Sequence, residues 1–202
     1  MASLSEPGKR LFWTLQGRPL STAISVMPAD LNPDAPREAY GTQTLTGTTT
    51  WHPISQEAVT APPVASLTVA EEYLGGWQDE WWTINMEGFD EDVQPAPEDV
   101  PPQFEPLVVT ASSAAAGGFV TVHDFVSAVH PWLMGLREQI LRARNVADDE
   151  YTPDADGDAR LLVVADLVEL VRVEDEDEEL AVMRWRFEEN RRRQQQQHAS
   201  AD

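Results

Sequence analysis

The chain predicts an α+β domain: an antiparallel sheet of about five to seven short strands packed on one central, kinked helix at about residues 121–144. Three observations carry that expectation. The segment Phe119 to Asn145 keeps apolar residues at helical spacing over its whole length. Short runs rich in β-branched and aromatic residues lie on both sides of it. Gly, Pro and acidic clusters separate those runs from one another.

Taken in order, residues 1–9 read as a disordered lead. Arg10–Leu15 has strand-favouring residues and is closed by Gly17 and Pro19, and Ser21–Met27 is a second short strand. From Pro28 to Ala61 the composition is that of a long loop, with one brief strand at Thr48–Trp51. After Pro62 and Pro63, Leu67 and Val69 alternate with polar neighbours, so Ala65–Glu71 reads as a strand. Gly75-Gly76 reads as a break. Beyond it, Glu80–Glu87 alternates again, with Trp82, Ile84 and Met86 on one face and Trp81 and Thr83 on the other, completing an antiparallel hairpin.

Residues 88–105 form an acidic loop, Pro106–Ala111 a strand, and 112–118 a flexible connector. The central helix then starts at Thr121, an N-cap residue with Asp124 three positions on in the manner of a capping box. Val122, Phe125, Val126, Val129, Leu133, Leu136 and Ile140 make its apolar stripe. Pro131 inside the pattern should kink or split the helix, with Trp132 wedged into the core beside it. Arg137, Arg142 and Arg144 lie towards the C-terminal end, where cations suit the macrodipole.

A second acidic loop covers 148–158, followed by apolar runs at Leu161–Val164 and Leu167–Val173. Glu174 to Glu179 is an unbroken acidic run, and Leu180–Phe187 alternates once more; the expectation is a terminal hairpin with the acidic run as its turn. Residues 189–202 read as a disordered, low-complexity tail, leaving 10–188 as a single domain.

The net charge of −21 narrows the partners. Between Arg37 and Arg137 there is no Lys or Arg, and fourteen Asp and Glu occupy that interval. Nucleic acids and anionic membrane surfaces both require cations, so neither is an expected partner, whereas a basic protein is. The absence of cysteine excludes disulfides and thiolate sites. No apolar run near the N-terminus resembles a signal peptide, and none reaches the roughly 18 residues of a spanning segment, so the expected location is cytoplasmic.

Sites with chemistry are scarce. His123-Asp124 resembles a metal-binding pair, but His130 is roughly 10 Å further along a helix. Asp154, Asp156, Gly157 and Asp158 imitate the opening of a calcium loop that fails at Ala159, where the turn requires glycine, and at Ala165, where the bidentate acid would stand. Gly117-Gly118 precedes a helix without the lysine of a phosphate loop. No cofactor or metal is expected. Trp77, Asp79, Glu80 and Trp81 form the most suggestive cluster, because aromatics beside carboxylates can stack on sugars or hold cationic ligands; burial in a core or partner surface is the competing reading.

Three blocks, LFWTLQG, VTAPPVASLTV and FVTVHDFVSAVHPWL, resemble successive blocks of a fungal domain family of unknown function, with a Trp-Asp-Leu strand, an Ala-Thr-x-Pro-Pro strand opening and a Val-Thr-Val-x-Asp helix start. Val120, Thr121, Val122 and Asp124 match the last block, whereas Thr14 replaces the family's Asp and the middle block is shifted. The resemblance implies a small intracellular α+β protein of fungal type and assigns no catalytic residue. The expected function is a non-enzymatic interaction or structural module, the alternative being a small-ligand or carbohydrate-binding protein, with or without enzymatic activity, that uses the Trp77–Trp82 region.

Overall fold

A computed structural model describes residues 2–16, 19–45, 47–86, 95, 100–112, 117–147 and 160–199. Its elements run β1 (Ser3–Leu4), α1 (Glu6–Lys9), β2 (Leu11–Trp13), α2 (Leu20–Ala23), β3 (Ile24–Val26), β4 (Glu38–Ala39), β5 (Gly41–Gln43) and β6 (Thr49–Trp51). A 3-10 turn at Pro53–Gln56 follows, then β7 (Thr60–Ala61), β8 (Ser66–Glu71), α3 (Glu72–Met86), β9 (Leu107–Thr110), α4 (Val122–Arg144), β10 (Leu161–Leu167), β11 (Leu170–Asp175) and α5 (Glu176–Ala199).

The α+β composition stands, but the expected single sheet on one helix does not form. The strands divide into four small sheets, β10-β11-β8-β9, β2-β3-β4, β1-β7 and β5-β6, and five helices accompany them among the described residues. The strands of the smaller sheets are two or three residues long, too short to join one continuous ladder. In the four-stranded sheet, β10 and β11 form an antiparallel hairpin with a register irregularity between Val164 and Leu167. β11 then runs parallel to β8 through Leu170 and Val171, and β8 runs antiparallel to β9. An isolated bridge between Thr14 and Leu162 brings the end of β2 against β10.

Two segments expected as strands are helical. In Glu80–Glu87, described as far as Met86, the alternation of Trp82, Ile84 and Met86 is the wrong period. Leu74, Trp77 and Trp81 stand three and four residues apart, which gives a helix one inward face, and Leu74 is buried there. Gly75-Gly76 does not break the helix, since each glycine costs only about 1 kcal/mol against alanine. In Leu180–Phe187 the same ambiguity recurs. Leu180, Met183 and Phe187 follow helical spacing, and of the acidic run Glu174 and Asp175 end β11 while Glu176–Glu179 form the first turn of α5, where negative charge complements the macrodipole. The expected terminal hairpin is therefore displaced to β10 and β11, with its turn at Val168-Glu169.

The ends of the chain are structured where they are described. β1 pairs with β7, and Ser5 caps α1 by accepting the Gly8 N–H at 3.2 Å. α5 continues to Ala199, with its exposed turns supported by Glu188–Arg192 and Glu189–Arg193 pairs at four-residue spacing. Ser21–Met27 contributes the short helix α2 before strand β3.

The central helix forms over the expected span. Thr121 Oγ1 accepts the Asp124 N–H at 3.0 Å and Asp124 Oδ2 accepts the Thr121 N–H at 3.0 Å, completing the capping box. Val122, Phe125, Val126, Val129, Leu133 and Ile140 are buried, and Leu136 is half-buried. Pro131 neither splits nor ends the helix: Val122–Arg144 is continuous, and the proline is exposed. Beside it, Trp132 is half-buried against Phe104, with centroids 5.9 Å apart. The main core gathers this stripe with Trp13, Leu15, Ile24, Val69 and Val173. A smaller cluster of Phe12, Met27 and Leu162 receives Leu31, Leu180 and Met183.

Candidate functional site

That smaller cluster floors a cavity of about 310 Å3, within the range of small-ligand pockets. β2 supplies Phe12 and Trp13, β10 supplies Leu162 through Asp166, and α4 contributes Phe125. The wall that completes it is α5, through Glu179, Met183, Arg186, Phe187 and Asn190. These residues are separated by four, three, one and three positions, so one stripe of the helix faces the cavity. Leu31 also lines it, with a left-handed backbone (φ 57°) that leucine adopts at a cost. Phe12 is buried and lies under the Arg37 guanidinium, 3.3 Å from its ring centroid.

The rim is charged, and its cations are already matched. Lys9 Nζ meets Glu6 at 2.7 Å. Arg186 meets Asp166 at 3.0 Å, and the same carboxylate accepts from Arg172 Nη2 at 2.8 Å. Two acids are left over. Asp30 accepts only the Asn32 N–H, at 3.2 Å among the described residues. Glu179 is 7% exposed and makes no hydrogen bond or close ion pair with the described residues. Burial raises the Glu179 carboxyl above the ordinary range, with the charges of Arg186 and Arg172 acting in the opposite direction.

The four residues singled out for ligand binding sit on α3, and none lines this cavity. Trp77 is half-buried against the main core and Trp81 half-buried four residues on, while Asp79 and Glu80 are exposed. Trp82 is 42% exposed and meets the Trp81 ring edge-on, centroids 5.7 Å apart.

The histidines of α4 have separate surroundings. Tyr40 Oη and His123 Nδ1 are 3.2 Å apart, and the Trp51 ring is 4.6 Å from the imidazole by centroids. Burial lowers the pKa of His123, against the raising effect of Asp124. Asp124 itself is committed to Thr121, so no His-Asp ligand pair forms. Ser127 Oγ stands 3.4 Å from His123 Nε2 on the exposed side of the helix, one turn away. His130 is buried and accepts from Trp13 instead. Among the described residues no group of three or more His, Asp or Glu could hold a metal ion. The calcium-loop imitation at Asp154–Asp158 lies outside the described residues. Gly117 and Gly118 adopt left-handed backbone (φ 81° and 73°) just ahead of the helix, a turn conformation open to glycine.

Glu179, Arg186 and the cavity they border were missed by sequence reasoning because an acidic run reads as solvated surface. The available signal was the helical register joining Glu179 to Met183, Arg186 and Asn190. No helix among the described residues is long and apolar enough to cross a membrane. No protein-family model, curated protein or solved structure matches this chain.

Proposed function

We propose that the chain is a non-enzymatic interaction module of the cytoplasm that engages a basic protein partner through the cavity beneath α5. One observation carries this reading: an apolar floor of Phe12, Trp13, Phe125 and Leu162 is bordered by acids that exceed the unpaired cations. An apolar side chain would be desolvated on that floor at about 25 cal/mol per Å2 buried. The surplus of negative charge, continuous with a net charge of −21, favours approach by a cationic surface. The resemblance to a fungal family of unknown function belongs to the same proposal and adds no activity to it.

The test uses the full chain and fluorescently labelled peptides in which leucines alternate with lysines or with glutamates. The Leu/Lys peptide is expected to bind with an affinity that falls as salt rises, and Met183→Trp, which fills the cavity from the α5 side, is expected to abolish binding while the circular dichroism spectrum is retained. Equal binding of both peptides, or binding untouched by the tryptophan, would refute the proposal.

A second reading, small-ligand or carbohydrate binding on α3, draws support from the edge-on Trp81–Trp82 pair beside exposed Asp79 and Glu80. Changing Trp82 to Ala would then remove a glycan-array signal from a chain that still folds.

A further inference from the structure

We infer that Glu179 is the recognition group of the cavity and receives the ammonium of a lysine side chain supplied by the partner, an assignment that rests on the reading of the cavity as the interaction site. Three features of the structure point to it. Glu179 is more than nine-tenths buried, lines the cavity, and has no hydrogen-bond or close ion-pair partner among the described residues. Its carboxylate oxygens are open to the cavity while the rest of the side chain is enclosed, so a ligand there can bring them a donor and offset the burial that disfavours their charge.

The nearby cation does not fill that role. Arg186 lines the same cavity but pairs with Asp166, which also holds Arg172. Both arginines therefore lower the electrostatic cost of ionising Glu179 from a distance without making a contact with it. The position is poised for an additional positive charge.

The remaining walls select what carries that charge. Phe12, Trp13, Leu162 and Met183 offer an apolar channel with a soft, adaptable thioether on one side. Lysine combines a four-carbon apolar stem with a compact terminal charge bearing three donors, so one side chain meets both demands. Asp30, the other acid of the rim with no cation, adds attraction at the mouth.

The experiment measures anisotropy of a labelled peptide carrying one lysine between leucines, against the same peptide with that lysine acetylated, on the full chain. Acetylation keeps the stem and removes the charge. Wild type should prefer the free lysine by about tenfold or more, equivalent to about 1.4 kcal/mol. Glu179→Gln should bring the ratio close to one by weakening the free-lysine peptide; Met183→Trp should weaken both peptides alike. A wild-type ratio near one, with both peptides lost in Met183→Trp, would overturn the role of Glu179 while the cavity reading stands. A preference that persists in Glu179→Gln would overturn it too, moving charge recognition to another acid. Failure of both peptides to bind wild type would remove the inference and the reading beneath it together. Binding of n-butylamine alone as tightly as the lysine peptide would assign the cavity to a free amine and overturn the partner's lysine as its source.

Discussion

Trp13 Nε1 donates to His130 Nδ1 at 3.0 Å, across a separation of 117 residues in the chain. Both side chains are buried, the rings lie 6.1 Å apart by centroids, and the bond ties β2 to the middle of α4. An Nδ1 that accepts leaves Nε2 as the protonated position of the neutral ring.

Trp13→Phe keeps a large ring but leaves that buried acceptor unsatisfied. We expect a loss of about 2–4 kcal/mol, from the orphaned nitrogen together with reduced packing, read as a lower urea midpoint by circular dichroism. Adding His130→Phe to Trp13→Phe should cost less than the two single changes summed, because the pair acts as a unit. Strict additivity would show that the bond contributes nothing.

The capping box sets a second expectation. Thr121→Ala should destabilise by about 1 kcal/mol at neutral pH. Burial tends to raise the Asp124 pKa, and hydrogen bonds from Ser112 and Thr121 outweigh it, so the group titrates below the ordinary range. Its stabilisation is accordingly complete above the unfolded pKa and is lost as pH falls through the folded one. The difference between wild type and Asp124→Asn should therefore shrink on acidification below about pH 4. A difference that stays constant to the acid limit would contradict the role given to Asp124.

Glu71 works in the opposite sense. It is fully buried at the end of β8, where Oε2 accepts the Leu74 N–H at 2.9 Å and Oε1 has no partner. Burial raises its pKa to about 7; the backbone N–H groups of Leu74 and Tyr73 act against this, and Glu72 and Glu174 reinforce it. A raised carboxyl favours the protonated native state, so stability falls as pH rises from the unfolded value through about 7, by on the order of 3 kcal/mol in all. Glu71→Gln retains an acceptor for Leu74 and removes the charge. It should flatten that part of the pH profile and gain stability over wild type above pH 7, whereas an unchanged slope would assign the dependence elsewhere.

The long helices carry residues that oppose them. Gly75, Gly76 and Gly135 are exposed, and a methyl added at each would meet nothing within 4 Å. Replacing each with Ala should raise stability by about 0.5–1 kcal/mol. Pro131→Ala restores a helical donor at an exposed position and should gain about 1–3 kcal/mol. Thermal melts of the four variants check this, and a fall in Tm at Pro131→Ala would mean that the proline shapes α4 in a way the packing requires.

The amino-acid order by itself determined the local features whose physics is short-range. Thr121 and Asp124 sit three apart, so one turn of chain suffices to close the capping box. The α4 stripe repeats over many turns, which leaves its period unambiguous. β8, β9 and the apolar runs that became β10 and β11 were legible for the same reason, as β-branched runs, although the pairing of β10 with β11 was not. In Trp81–Met86 and Leu180–Phe187 the window was short and apolar on several sides, so periods of 2 and 3.6 fitted nearly as well. Only the tertiary structure decided them, by giving Leu74 and Trp77 a core to enter and Met183 a cavity to face. The same contacts separated the strands into four sheets and set Trp13 against His130. They also left Glu179 buried beside Arg186 without joining the two, because Asp166 reaches that arginine from β10. Such pairings depend on which distant segments share space, and no local pattern of residues encodes that.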